Sequence, residues 1–174
     1  DALKNQYADP NNHISGGNQI ADDIVLFDPS ILKVDFSQPH LYSELFIDYD
    51  QCNLSNKMNR ILGSTYWVTK SFPMPWINGE TGFPSSDTEP PCTKFAQVAG
   101  TNSEQHIYAD NMLNATRDYG GSGFFWWNFQ DGSWPGNNVS GYGLLSLNTG
   151  IEKPAVTTFQ SYLDINYQPP SPAH

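Results

Sequence analysis

PMPWINGETGFPSS, residues Pro73 to Ser86, is the stretch on which the reading of this chain turns. Trp76-Ile77-Asn78-Gly79 reads as a short strand that runs into a carboxylate, Glu80, and then breaks into Thr81-Gly82-Phe83-Pro84, a loop of turn formers. Glu80 is therefore expected at the carboxyl end of a strand. In parallel α/β proteins that end carries ligands and reacting side chains, because its loops can vary without disturbing the sheet. A solvated glutamate at a strand exit fits these residues equally well, so the neighbouring strands have to decide.

Upstream, Lys33 to Tyr42 reads KVDFSQPHLY, and period-two alternation puts Val34, Phe36, Gln38, His40 and Tyr42 on one face. That face turns from apolar to hydrogen-bonding at its carboxyl end; the plainer alternative is a strand dissolving into loop after Pro39. Ser55 can cap a helix running to about Lys70, with Met58, Ile61, Leu62 and Tyr66 on one stripe. Strand, helix, strand in one sheet implies a parallel right-handed crossover. Further upstream, Asp1 to Asp23 is polar and broken by Asp-Pro-Asn-Asn and Ser-Gly-Gly, so it reads as loop after a short helical turn at Ala2 to Tyr7. Ile24 to Phe27 is one apolar run that periodicity alone assigns neither to a strand nor to a helical turn.

Downstream of Glu80 lies a long loop from Pro84 to Gly100, and then Thr101-x-x-Glu104, a capping box opening a second helix. Tyr108, Met112, Ala115 and Tyr119 mark its buried face, and Gly120-Gly121 closes it. Phe124 to Phe129 is apolar except at Asn128, as expected of a strand covered on both sides. Phe125, Trp127, Phe129 and Asp131 share a face, with Trp126 turned away into the core. Tyr142 to Leu145 leads to Ile151-Glu152-Lys153-Pro154, where Pro154 suits the first turn of a last helix striped by Val156, Phe159 and Leu163. Residues 1–167 are read as one unit and 168–174 as a Pro-rich tail, disordered or a linker.

Composition bounds the function. At 174 residues the chain can bury one core, yet falls short of the roughly 250 residues of an eight-stranded α/β barrel. Its net charge of -10 repels nucleic-acid backbones and anionic membranes and favours a neutral partner. Aromatics make up 14% of the chain, and such flat faces suit sugar rings as well as cores. Cys52 and Cys92 lack the paired spacing of zinc sites, which leaves a disulfide or two buried thiols, and nothing calls for a metal or cofactor. Sequons at Asn53, Asn114 and Asn138 are glycosylation candidates and suit a secreted or periplasmic protein. No run of 18 apolar residues occurs and no signal peptide precedes Asp1, so the chain is expected to be a mature product, an expressed segment or a piece of something longer.

His40 with Tyr42, Glu80, and Trp127 with Asp131 thus arrive from three successive strands at the same end. This ordered set resembles the last three units of retaining (β/α)8-barrel glycoside hydrolases, the cellulase and mannanase family five and its clan relatives. The residues that carry the resemblance are Asp35-Phe36-Ser37-Gln38-Pro39-His40-Leu41-Tyr42 for strand six, Gly79-Glu80-Thr81-Gly82 for strand seven and Trp127-Asn128-Phe129-Gln130-Asp131 for strand eight. The GLL…G…KP run that follows matches the lead into the eighth helix. The resemblance implies an α/β fold, the C-terminal portion of a TIM barrel, and hydrolysis of β-glycosidic bonds with retention. Glu80 would be the nucleophile, Tyr42 would hold it ionised and oriented, His40 would line the sugar site and Trp127 would stack under the sugar, with Asp131 and Trp134 as weaker candidates. Cys52 and Cys92 would pair in an oxidising compartment, tying the loop after strand six to that after strand seven.

The departure from that pattern is large. Retaining hydrolysis needs two carboxyl groups about 5 to 5.5 Å apart, and the family's acid/base is the Glu of an Asn-Glu pair on strand four. No Asn-Glu dipeptide occurs here. Strands one to four and most of five are expected outside the chain, so the N-terminal half of the barrel should come from another chain or a missing segment, the carbohydrate being the other partner. A catalytically incomplete carbohydrate-binding remnant is the alternative. A domain unrelated to sugars would make the ordered motifs a coincidence.

Overall fold

The computed structural model describes residues 15–18, 35–42, 54–71, 74–86, 100–132, 141–147 and 149–163. Their elements run β1 (Ser15–Asn18), β2 (Phe36–Pro39), α1 (Leu54–Ser71), β3 (Asn78–Thr81), α2 (Asn102–Asp118), β4 (Phe124–Trp126) and α3 (Ala155–Leu163). β1 pairs with β2 and β3 with β4, both in parallel. Parallel bridges Ser37–Trp76 and His40–Glu80 join the two pairs. The Ile77 N–H donates to the Ser37 carbonyl at 3.0 Å and the Leu41 N–H to the Glu80 carbonyl at 2.8 Å. Four parallel strands therefore lie side by side in chain order, with α1 carrying the chain from β2 to β3 and α2 from β3 to β4, which is the α/β arrangement read from the pattern.

One strand was not legible. Ser15–Asn18, read above as loop, pairs with β2 in the register Ser15–Phe36 through Asn18–Pro39. Ser-Gly-Gly-Asn has no alternation and is composed of residues depleted in strands. Its conformation comes from the backbone donors and acceptors that β2 offers, and no side-chain pattern reports those. The strand counted as missing before β2 is thus present. Ile24 to Phe27, the helical turn at Ala2 to Tyr7 and the tail from Gln168 lie outside the described residues.

α1 forms where the stripe predicts it, but the buried positions differ. Met58 (6% exposed) and Thr65 (1%) face inward, whereas Tyr66 is 50% exposed and packs edge-on against Tyr119 at 5.5 Å. The side chain of Ile61 lies outside the described residues. A stripe drawn at i, i+3, i+4 and i+8 drifts round the helix, and the small Thr65 fills the contact that Tyr66 was expected to make.

α2 follows its sequence signals at both ends. The Thr101 hydroxyl accepts the Glu104 N–H at 3.1 Å while the Glu104 carboxylate accepts the Thr101 N–H at 2.7 Å, a complete capping box. At the other end Gly120 takes φ 81°, the Gly121 N–H reaches the Thr116 carbonyl (2.7 Å) and the Gly120 N–H that of Arg117 (3.0 Å). These two bonds make a Schellman motif, which needs a residue tolerant of positive φ. Tyr108, Met112 and Ala115 are buried as expected, and Tyr108 and Met112 join Leu41, Met58 and Phe83 in the core, with Phe124 and Trp126 packed against it.

Of the described residues, no helix is long and apolar enough to cross a membrane, and no group of three His, Cys, Asp or Glu could hold a metal ion. Replacing Thr101 with Ala removes the cap acceptor and should destabilise the chain by about 1 kcal/mol in urea titrations, with Thr101→Ser restoring it.

Candidate active site

The last described residues of β2 and the strand residues of β3 converge on Glu80. The Tyr42 hydroxyl donates a hydrogen bond to Glu80 Oε1, and His40 Nδ1 lies 3.2 Å from Glu80 Oε2. Both carboxylate oxygens are thus engaged by residues two apart just past the end of β2, and the His40 and Glu80 side chains are 23% and 30% exposed. The strand differs by two residues from the sequence reading: it spans Asn78–Thr81, so Glu80 lies within it and not beyond its end. Trp76 precedes the strand, bridging to Ser37, with its indole N–H donating to the Tyr119 carbonyl at 3.3 Å and its carbonyl accepting from the Ser122 N–H at 2.8 Å.

A bulge aims the carboxylate. Asn78 pairs with Phe124 and Thr81 with Trp126, so three steps along β3 face two along β4. Asn78 and Thr81 are both fully buried. Between them, Gly79 and Glu80 meet the half-buried face of β2 that carries Gln38, His40 and Tyr42. The Thr81 hydroxyl locks the level of the site from behind, donating to the Leu41 carbonyl at 2.6 Å, and Tyr108 donates to the same carbonyl at 3.2 Å.

β4 is shorter than expected. It ends at Trp126, and the Trp127–Asn128 peptide is cis. Coverage on both faces is not seen among the described residues: Phe125 is 58%, Trp127 40% and Phe129 72% exposed, while Trp126 packs inward as read. Trp127 stands beside the carboxylate strand, its N–H donating to the Thr81 carbonyl at 2.7 Å. Gly82 permits this approach, because a Cβ there would lie 2.2 Å from the Trp127 carbonyl oxygen.

Asp131 has a different task from the one anticipated. Its carboxylate accepts from Lys153 Nζ at 2.8 and 2.9 Å and from the Gly143 N–H at 2.7 Å, and it is 11% exposed. Lys153, 3% exposed, also donates to the Gly141 carbonyl at 3.0 Å and to Ser85 Oγ at 3.3 Å. Gln105 adds a second buried hub, its Nε2 reaching the carbonyls of Phe83 (2.8 Å), Gly141 (3.1 Å) and Gly143 (3.3 Å). These two side chains tie the loop after β3 to the loop after β4. Neither is legible in a string of residues, where a buried lysine and a surface one look alike. Asn114 is exposed on α2, its Oδ1 accepting from Arg117 Nη2 and from the Tyr162 hydroxyl. Trp134, Cys52, Cys92, Asn53 and Asn138 lie outside the described residues.

This geometry has counterparts. Solved structures that the chain resembles include β-glucuronidases. The β-glucuronidase of Dictyoglomus thermophilum aligns over 94% of this chain with a TM-score of 0.64 and 15% identity. That of Ruminococcus gnavus aligns over 96% with a TM-score of 0.67 and 15% identity, and its complex with D-glucuronic acid aligns over 92% with 0.64 and 14%. At such identity the likeness is one of fold, that of the TIM-barrel glycosidases. The chain spans about 28% of the length of these structures, so the likeness is to part of each of them. The narrower resemblance to cellulases and mannanases is not what the comparison supports; the neighbours are β-glucuronidases. No protein-family model matches the sequence, and no curated protein matches it.

Two substitutions test the architecture around Glu80. Gly82→Ala places a methyl against the Trp127 backbone and should destabilise by about 1–3 kcal/mol, read by urea titration, with near-ultraviolet circular dichroism reporting the displaced tryptophan. Lys153→Met keeps the volume and strands the Asp131 carboxylate; a loss of about 3–5 kcal/mol is expected in the same titration.

Proposed function

We propose that this chain is the nucleophile-bearing part of a retaining β-glycoside hydrolase, active when the remaining strands of the barrel complete it. The observation that carries the reading is the Glu80 carboxylate, held at the carboxyl end of parallel strands by one hydroxyl and one imidazole. The hydrogen bond from Tyr42 orients the carboxylate and fixes which oxygen lone pairs are free to attack. In the reaction a Glu80 oxygen attacks the anomeric carbon, the glycosidic C–O bond breaks, and the leaving oxygen takes a proton from an acid. Water then attacks the anomeric carbon of the glycosyl-enzyme, its bond to the Glu80 oxygen breaks to return the carboxylate, the water's proton goes to the conjugate base of that acid, and the sugar leaves with retained configuration. His40 lines the sugar site and Trp127 offers its exposed face for stacking.

The acid/base is assigned to the remainder of the barrel. Two observations support this: the chain spans about 28% of the length of the glycosidases it resembles, and the face of β4 bearing Phe125 is uncovered. The names of those neighbours add β-glucuronides to the β-glucosides and β-mannosides to be tried as substrates. The three sequons, together with the disulfide expected between Cys52 and Cys92, favour an extracellular or periplasmic setting.

A 2-deoxy-2-fluoroglycoside bearing a good leaving group, given to the completed enzyme, should label Glu80, and Glu80→Gln should reduce turnover to background. Labelling of another carboxylate would overturn the assignment. The chain alone should not hydrolyse aryl glycosides at an enzymatic rate; turnover that Glu80→Gln abolishes would place the acid within this sequence.

A further inference from the structure

Three consecutive residues in the loop after β4, Gly141, Tyr142 and Gly143, are anchored through all three carbonyls and the Gly143 N–H. The Gly141 carbonyl accepts from the Ser85 N–H (2.9 Å), Lys153 Nζ (3.0 Å) and Gln105 Nε2 (3.1 Å). The Tyr142 carbonyl accepts from the Trp126 indole N–H at 2.9 Å. The Gly143 N–H is held by Asp131 at 2.7 Å, and its carbonyl lies 3.3 Å from Gln105 Nε2. Neither flanking position has room for a side chain: a Cβ at Gly141 would lie 2.4 Å from the Ser85 carbonyl oxygen, and one at Gly143 2.0 Å from the Asp131 nitrogen. The one side chain this tripeptide can present is the Tyr142 ring.

That ring meets Tyr42 edge-on, with centroids 6.1 Å apart and planes at 84°. Tyr42 is the residue whose hydroxyl donates to Glu80. We infer that Tyr142 is a positioning residue for the Glu80 carboxylate: the anchored loop uses its ring to fix the rotamer of Tyr42, and through it the hydrogen bond to Glu80. The inference rests on the proposed role of Glu80 for its functional meaning, but the coupling from Tyr142 through Tyr42 to Glu80 is a property of the folded chain and needs no substrate. Deleting an aromatic partner of this geometry should release the Tyr42–Glu80 bond about three- to tenfold more often. A carboxylate oxygen engaged by a hydroxyl is less free to attack a carbodiimide, so its release can be read chemically.

The test is carbodiimide coupling of glycine ethyl ester to the intact chain, with site-resolved rates from peptide mass spectrometry. Tyr42→Phe sets the rate for a released Glu80. Tyr142→Ala should raise the Glu80 rate about three- to tenfold towards that reference, Tyr142→Phe should match the wild type, and the rates at Asp131 and exposed Asp118 should not change. Tyr142→Leu, which keeps apolar bulk without the ring edge, replaces the alanine variant if that one does not fold, and the same rise is expected. An unchanged Glu80 rate in the alanine or leucine variant would overturn the inference, as would Asp131 rising in step with Glu80, which would mean general loosening. No effect of Tyr42→Phe would overturn it at its first link. Failure of the fluoroglycoside to label Glu80 while these rates behave as stated would count against the hydrolase reading and leave the coupling intact.

Discussion

The register between β2 and β3 is the constraint on which the rest of the site depends. His40 stands opposite Glu80 in that register, so the carboxylate finds the imidazole at one oxygen and the Tyr42 hydroxyl at the other. A slip of one residue would turn His40 and Tyr42 to the far side of the strand and leave a buried-side leucine against the carboxylate. The register is fixed from the core, where Thr81 and Tyr108 both bond the Leu41 carbonyl. The same side of β3 that packs the molecule thereby places the chemistry on the other.

The loops beyond the strands are held by polar groups that lie inside the protein. Lys153 gives up its hydration, and the Asp131 carboxylate, the Gly141 carbonyl and Ser85 Oγ replace it. Such a pair adds little net stability over apolar residues of equal volume, but losing one member is costly because the other is left charged and unpaired. It does specify geometry: a lysine with three directed partners admits few arrangements of the two loops. Gln105 acts on the same loops from α2. The wall of the site thus inherits the rigidity of the helix layer.

The face opposite the helices is unfinished. Phe125 and Trp127 are substantially exposed although a parallel strand is ordinarily buried on both faces. A part of a barrel has this property, since the interior of such a barrel is filled by side chains from all of its strands. The short span of this chain relative to the glycosidases it resembles agrees with that reading of the exposed face.

The sequence by itself determined the features that depend on local chemistry. The α2 capping box and its Gly120 terminus follow from hydrogen-bonding groups a few residues apart, and the shared face of His40 and Tyr42 follows from period-two geometry. It also placed Glu80 with these residues, because strands joined by helical crossovers deliver their carboxyl ends to one side. Tertiary structure decided what depends on pairing across distance. It made a strand of Ser15–Asn18, whose backbone pairs with β2 without any side-chain signal. It gave β3 the bulge that aims Glu80, turned Tyr66 outward in favour of Thr65, and set Asp131 against the buried Lys153. Burial and partner choice are properties of the assembled interior, where desolvation sets the cost of each polar group, and a linear pattern carries no record of which residues will meet there.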